Sequence, residues 1–191
     1  MRYSRAILLV GCIVGTLLAA GDRSATAAEY RFGVPSLDLN VVVNPDASVR
    51  MIYDMRFQNN AIGHPIDVVD IGTPNDDYDL ARVEASIDGT PLHNIRESTY
   101  IDTGFEVHLG SKTIPPGGSG TLHVEFNVPH MVYQDTTRDD YASLRVTPTW
   151  FGSQYVTGNT HIKVAVHAPK GVAPEELLHQ GQEFSEKALF N

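Results

Sequence analysis

Between residues 48 and 58 every second residue is apolar or aromatic. The odd-numbered positions form one face, made of Val49, Met51, Tyr53, Met55 and Phe57. The opposite face is mostly polar, with Arg50, Asp54 and Arg56. Because successive side chains of a β-strand point to opposite faces, this period of two predicts a half-buried strand. We expect the odd-numbered set to be buried and the even-numbered set to face solvent.

The same alternation recurs along the rest of the chain. It predicts further strands at residues 37–43, 66–71, 81–87, 105–109, 121–128, 141–146 and 161–167. In the last of these we expect Ile162, Val164 and Val166 to face the core. A helical period is missing from the sequence after residue 27, apart from one turn expected within residues 174–180.

Turn residues separate these predicted strands. Asp88-Gly89 is a favoured dipeptide for a type I′ hairpin, in which both central residues have positive φ. Residues 115–118, with the sequence Pro-Pro-Gly-Gly, interrupt the chain before the strand at 121–128. Short strands with turns between them are typical of an antiparallel β-sandwich. The sequence therefore predicts an all-β fold of about seven to nine antiparallel strands.

The first 27 residues have the pattern of a secretory signal peptide. Arg2 and Arg5 precede an apolar run over residues 6–20, and small residues follow at 25–27. The run is shorter than the 17–25 residues of a typical membrane-spanning helix. We therefore expect export, with cleavage after Ala27. The alternative is a lipoprotein signal in which Cys12 is lipidated, but this would leave a very short apolar run before the cysteine.

The only cysteine, Cys12, lies inside this signal. Cleavage after Ala27 leaves a mature chain without disulfides, thiolate nucleophiles or cysteine ligands for zinc. Small exported eukaryotic domains tend to be disulfide-rich, so we expect a bacterial protein that is secreted or periplasmic.

The charge of the mature chain is strongly negative. Removing Arg2, Arg5, Arg23 and Asp22 from 14 basic and 23 acidic residues leaves 11 and 22, a net charge of −11 with neutral histidines. Such a chain repels phosphate backbones, so we expect no nucleic-acid partner. It also lacks the basic cluster that binds anionic lipid, so a membrane partner would require a C-terminal anchor outside this chain.

These observations divide the chain into three parts. We expect a signal peptide at residues 1–27, one β-sandwich domain at 28–170 and a C-terminal tail at 171–191, where the alternation ends. A single domain of this length is ordinary. The chain is expected to be either complete with a frayed tail or part of a longer protein.

A loop dense in Asp and Asn is the candidate metal site. Calcium prefers six to eight oxygen ligands, and Asn75, Asp76, Asp77 and Asp79 offer such oxygens. The loop does not have the spacing of an EF-hand, and Asp and Asn are also common turn residues. The alternatives are a weak calcium site and a solvated turn; we expect no other cofactor.

Two histidines suggest a second, weaker metal hypothesis. His108 and His123 lie on the polar faces of two predicted strands that one loop joins. Direct pairing of those strands would bring the two side chains together. Zinc sites usually need three or four ligands, so solvent-facing histidines are the simpler interpretation.

Trp150 and Tyr155 are the candidate ligand-binding residues. Exposed aromatic side chains here would form a stacking surface for a sugar or a hot spot for a protein. A single tryptophan in a sandwich more often fills the core between the sheets, and we favour that role for Trp150.

Three segments resemble a known class of domain. An early strand at residues 39–46, an Asp-Gly-x-Pro-Leu hairpin at 85–92 and a Pro-Pro-Gly strand at 114–126 are similar to immunoglobulin-like sandwiches of exported bacterial proteins. They resemble the N-terminal sandwich of M1-type aminopeptidases and that of uncharacterised bacterial membrane proteins. The resemblance implies an immunoglobulin-like fold and an accessory, non-catalytic role, because the H-E-x-x-H motif of those enzymes is absent.

Neither the nucleophile elbow G-x-S-x-G nor a phosphate-binding glycine loop occurs in the sequence. We therefore expect no enzyme activity. The sequence predicts a non-catalytic exported β-sandwich that acts as a binding or structural module, with a protein or a glycan as its partner. Two alternatives remain: a calcium-assisted carbohydrate-binding module, and an accessory domain of a larger enzyme or membrane protein.

Overall fold

A computed structural model describes residues 29–173 and 176–178 of the chain. The expected signal peptide at 1–27, most of the tail and the turn expected within 174–180 lie largely outside these residues. The described part has eleven strands: β1 (Phe32–Val43), β2 (Val49–Asn59), β3 (Val68–Gly72), β4 (Glu84–Ile87), β5 (Thr90–Leu92), β6 (Ile95–Glu97), β7 (Gly104–His108), β8 (Ser119–Val128), β9 (Val132–Gln134), β10 (Ala142–Leu144) and β11 (His161–His167).

Short 3₁₀ turns lie at Leu80–Arg82 and Gly110–Lys112. Among the residues that the structure describes, no helix has the length and apolarity that crossing a bilayer requires. The all-β prediction is therefore confirmed.

The strands form two facing sheets and a small hairpin. The larger sheet has the order β11-β1-β2-β8-β4-β5, the smaller has the order β3-β7-β6, and β9 pairs with β10. Phe105 of the smaller sheet meets Phe126 of the larger edge-on, with ring centroids 5.3 Å apart. Apolar side chains thus fill the space between the sheets, as in a sandwich.

The alternation of β2 is borne out. Val49, Met51, Tyr53, Met55 and Phe57 are fully buried. Their partners on β8 include Leu122, Val124 and Phe126, which are buried on the same side of the sheet. Because β2 lies between β1 and β8, its odd-numbered residues are covered from all directions. Burial of this kind contributes about 1.5–3 kcal/mol for each large apolar side chain.

The predicted hairpin at Asp88-Gly89 is confirmed. β4 and β5 pair with Ile87 opposite Thr90. The two residues between them have φ of 47° and 76°, the positive values that a type I′ turn requires. Asp88 also accepts a hydrogen bond from the amide of Thr121 at 2.8 Å, which fixes the hairpin against β8.

The last strand differs from the prediction in two respects. β11 runs parallel to β1, whereas an antiparallel arrangement was expected. Its residues Ile162 and Val166 remain 40% and 45% exposed, although they were expected to face the core. The reason is that β11 lies at the edge of the larger sheet, where the opposing layer leaves its apolar face partly open to solvent.

Candidate functional site

A segment without strands closes one side of the sandwich. We call residues 145–157 the strap. Its residue Thr149 accepts a hydrogen bond from the amide of Gly72 at 3.0 Å, which ties the strap to β3. The amide of Phe32 donates to the carbonyl of Tyr155 at 3.0 Å, which ties the strap to β1. The strap is therefore anchored to both sheets.

Apolar packing adds to these bonds. The ring of Phe151 meets Phe57 edge-on at 5.4 Å and Phe32 at 5.9 Å between centroids. Phe151 thus fills the space beside the core from the side of the strap. Such aromatic pairs contribute about 0.5–1.5 kcal/mol beyond the area they bury.

Trp150 projects in the other direction. Its neighbour Thr149 is buried, whereas Trp150 is 78% exposed. The preferred interpretation of Trp150 as a core residue is therefore wrong. Trp150 is exposed because Phe151 packs against the core and already occupies the space that a core tryptophan would need.

Tyr155 is half-buried and lies beside Tyr100, an exposed aromatic residue. Its hydroxyl is 3.0 Å from that of Tyr100, and the two rings are tilted by 60° with centroids 6.4 Å apart. Tyr100 is 64% exposed. The hydroxyl of Ser98 accepts hydrogen bonds from the amides of Tyr100 and Ile101, both at 3.0 Å, and so holds this loop. The hydrogen bond to Tyr155 raises the pKa of Tyr100.

The strap, the loop of Tyr100 and the polar face of β3 and β7 enclose a cleft of about 830 Å³. This volume lies within the range of about 300–1,000 Å³ that is usual for small-molecule sites. Trp150, Tyr155 and Tyr100 line it together with the carboxylates of Asp70 and Glu106. The two candidate ligand-binding residues of the sequence thus line one cleft.

The two carboxylates of the cleft lie directly opposite each other on β3 and β7. Like charges in this arrangement destabilise a sheet unless other groups offset them. Asp70 accepts a hydrogen bond from the hydroxyl of Ser98, and Glu106 accepts one from Nε2 of His108 at 2.8 Å. The bond from His108 lowers the pKa of Glu106, so this carboxylate is ionised at neutral pH.

The acidic loop that was the calcium candidate directs its side chains to separate local partners. Asn75 accepts a hydrogen bond from the amide of Asp77 at 3.0 Å. Asp77 itself contacts His130 at 3.0 Å, and Asp79 contacts Arg82 at 3.2 Å.

Two further details concern the same loop. Asp79 also accepts from the amide of Ala81 and so caps the 3₁₀ turn at Leu80–Arg82, while Asp76 is exposed. In the described residues, no three His, Cys, Asp or Glu side chains are grouped to hold a metal ion. Thermal unfolding in calcium and in chelator distinguishes the two alternatives for this loop, a weak calcium site and a solvated turn.

The two histidines of the second metal hypothesis lie on different sheets. β7, which carries His108, belongs to the smaller sheet, and β8, which carries His123, belongs to the larger. His123 contacts Asp54 of the larger sheet at 2.8 Å, whereas His108 contacts Glu106 of the smaller sheet at 2.8 Å. The hypothesis of direct pairing is therefore wrong, because the proline-rich segment at 115–118 carries the chain from one sheet to the other.

Comparison with family models gave no match, and no curated protein sequence matched either. Among solved structures, the chain is similar to yeast LTA4 hydrolase, with 18% identity over 50% of this chain and 14% of that one and a TM-score of 0.37. It is also similar to an M1 zinc metallopeptidase from Deinococcus radiodurans, with 12% identity over 57% of this chain and 22% of that one and a TM-score of 0.37. The chain thus spans less than a quarter of the length of either structure.

Proposed function

We propose that this chain is a non-catalytic ligand-binding module whose binding site is the cleft beside the strap. The observation that carries this proposal is the placement of Trp150, 78% exposed at the edge of a cleft that contains two carboxylates. Large exposed aromatic residues are enriched where proteins bind ligands, because they supply apolar area with few rotatable bonds.

The anchoring of the strap supports a binding role. Trp150 is held between Thr149, which bonds to the core, and Phe151, which packs against it. A side chain presented from a fixed backbone loses little conformational freedom when a ligand binds. The backbone that presents Trp150 is therefore preorganised, a property that favours affinity.

The state of Glu106 supports binding rather than acid catalysis. A catalytic acid must hold a proton near neutral pH, which requires a raised carboxyl pKa. The hydrogen bond from His108 lowers the pKa of Glu106 instead. An ionised carboxylate is a hydrogen-bond acceptor. The role that we assign to Glu106 is to accept hydrogen bonds from donor groups of the ligand.

We further propose that the module is exported from a bacterial cell and serves as an accessory part of a larger enzyme or membrane protein. Export is supported by the first 27 residues, in which charged residues are followed by an apolar run and then by small residues. N-terminal sequencing of the exported protein tests this and should begin at Ala28; a retained Met1 would reject export. Reading the gene beyond Asn191 tests the accessory role.

The chain contains one tryptophan, so its fluorescence reports on the cleft alone. The test of binding is titration of Trp150 emission with neutral sugars, charged sugars, short peptides, nucleotides and fatty acids. We expect a saturable change with one of these classes. Tyr133→Ala is the matched control, because Tyr133 is exposed on β9 and does not line the cleft. A flat response to every class would reject the cleft as a binding site.

A further inference from the structure

We infer that the ligand of the cleft is an uncharged glycan, recognised by stacking on Trp150 and by hydrogen bonds to Asp70 and Glu106. This inference rests on the proposed binding function and specifies its ligand. It follows from three properties of the lining: the exposed rings, the balance of donors and acceptors, and the balance of charge.

The exposed rings favour a ligand with apolar faces. The face of an indole carries partial negative charge, and it attracts the partly positive C–H bonds that cover the face of a sugar ring. Trp150 presents such a face to solvent. The hydrogen-bonded pair of Tyr100 and Tyr155 supplies two more rings, with their hydroxyl groups fixed toward each other.

The polar groups of the lining include both donors and acceptors. Asp70 and Glu106 only accept hydrogen bonds in their ionised form, whereas Arg145 only donates. Hydroxyl groups that do both line the same cleft, on Thr99, Thr103 and Thr147. A sugar hydroxyl also donates and accepts, so neighbouring hydroxyls of one ring match this mixture. A purely apolar ligand would remove water from these groups without replacing the hydrogen bonds that they form with it.

The cleft carries charges of both signs, which partly offset one another. Arg96 on β6 lies directly opposite Glu106 and helps to lower its pKa, and Arg145 lines the cleft from the strap. The guanidinium group of Arg145 therefore lines the cleft together with the carboxylates of Asp70 and Glu106, and a second guanidinium group, that of Arg96, lies beside Glu106 outside the lining. A strongly charged ligand of either sign would meet both attraction and repulsion here, whereas a neutral ligand meets neither. This charge complementarity distinguishes a neutral glycan from a basic peptide or an acidic polysaccharide.

The experiment compares hexasaccharides that differ in charge. Neutral probes are cellohexaose, xylohexaose, mannohexaose and the chitin hexamer; charged probes are hexagalacturonic acid and the chitosan hexamer. Binding is followed by Trp150 emission and by calorimetry at about 0.05 M and about 0.5 M NaCl, which changes screening several-fold. We expect at least one neutral probe to bind saturably with the same Kd at both salt concentrations.

Variants assign the contacts. Asp70→Asn combined with Glu106→Gln keeps the shape of the cleft but removes the charged acceptors. It should raise the Kd of the neutral probe by about tenfold or more. Trp150→Ala should raise this Kd at least as much, whereas Tyr133→Ala should leave it unchanged. Equal thermal midpoints of the variants and the parent would show that they remain folded.

Three outcomes would overturn the inference: binding of charged probes alone with a salt-dependent Kd, binding of a basic peptide in place of the sugars, and full affinity in Trp150→Ala. In the first two the cleft is still occupied and the proposed function stands. Only an unchanged Trp150 emission with every ligand class rejects both the proposed binding function and the glycan inference.

Discussion

The hydroxyl of Tyr53 accepts a hydrogen bond from the amide of Thr149 at 3.1 Å, which joins the centre of β2 to the strap. Both residues are buried. Thr149 bonds on its other side to Gly72 of β3, so a single residue links the two sheets. The position of Trp150 on the surface therefore depends on a tyrosine inside the core.

Replacement of that tyrosine tests this dependence. Tyr53→Phe leaves the buried amide of Thr149 without its acceptor and should lower the free energy of unfolding by about 1–3 kcal/mol. Because the strap loses an anchor, Trp150 emission of the folded variant should also shift. Tyr78→Phe is the matched control, since its hydroxyl donates to Gly104 at 2.9 Å, away from the strap. An unchanged emission spectrum in Tyr53→Phe would show that the strap is held without this bond.

Alkaline unfolding is a second consequence of the buried tyrosine. Burial raises the pKa of Tyr53 to about 12, above the value of about 10 in an unfolded chain. The unfolded state therefore loses its proton first, and stability falls as pH rises from about 10 to about 12, by about 1.4 kcal/mol per pH unit. Tyr30, whose pKa is raised by burial and by its bond to Asp67, acts in the same direction.

Urea denaturation at several pH values measures this decline. Tyr53→Phe should be less stable than the parent at pH 8, but its stability should fall less steeply above about pH 10. Parallel slopes in the two proteins would assign the decline to other groups.

Two glycines give a matched pair of alanine substitutions. At Gly104, where φ is +148°, a Cβ atom would lie 2.2 Å from the carbonyl oxygen of Ile71. At Gly89, where φ is +76°, a Cβ atom would meet nothing within 4 Å. We expect Gly104→Ala to cost about 3 kcal/mol or more, and Gly89→Ala about 1–2 kcal/mol from backbone strain alone. Thermal unfolding measures both; equal losses would contradict the steric argument at Gly104.

Calcium should leave thermal unfolding unchanged. Asp77 and Asp79 already contact His130 and Arg82, and a calcium ion would have to displace these partners. We therefore expect coincident melting curves in millimolar calcium and in chelator. A site with a Kd of about 10⁻⁴–10⁻³ M would instead raise the midpoint by a few degrees. Such a shift, lost in Asp77→Asn, would restore the loop as a calcium site.

Alternation in the sequence predicts the central strands well, because these strands are long and one face of each is enclosed. β2 and β8 lie inside the larger sheet, and their buried faces follow the period of two without exception. The same rule predicts the wrong burial for Ile162 and Val166. A period of two in the apolar residues shows that a strand has an apolar face, but the opposing sheet decides whether that face is covered.

The cleft was only partly predictable for a different reason. Its residues come from β3, from β7, from the loop of Tyr100 and from the strap, which meet only after the sheets have formed. No spacing along the sequence connects Asp70 and Glu106. A single tryptophan in a sandwich commonly fills the core, and only the contacts of Phe151 with Phe57 show that Phe151 fills this space instead of Trp150.

The pairing of β1 with β11 sets an order on folding. Ser36 lies opposite His161, so the first strand waits for the last to complete its ladder. Until β11 has paired, one edge of the sheet displays the unpaired amides and carbonyls of β1, the kind of edge on which chains aggregate. A holdase that binds extended segments of the unfolded chain would therefore protect this protein most at β1.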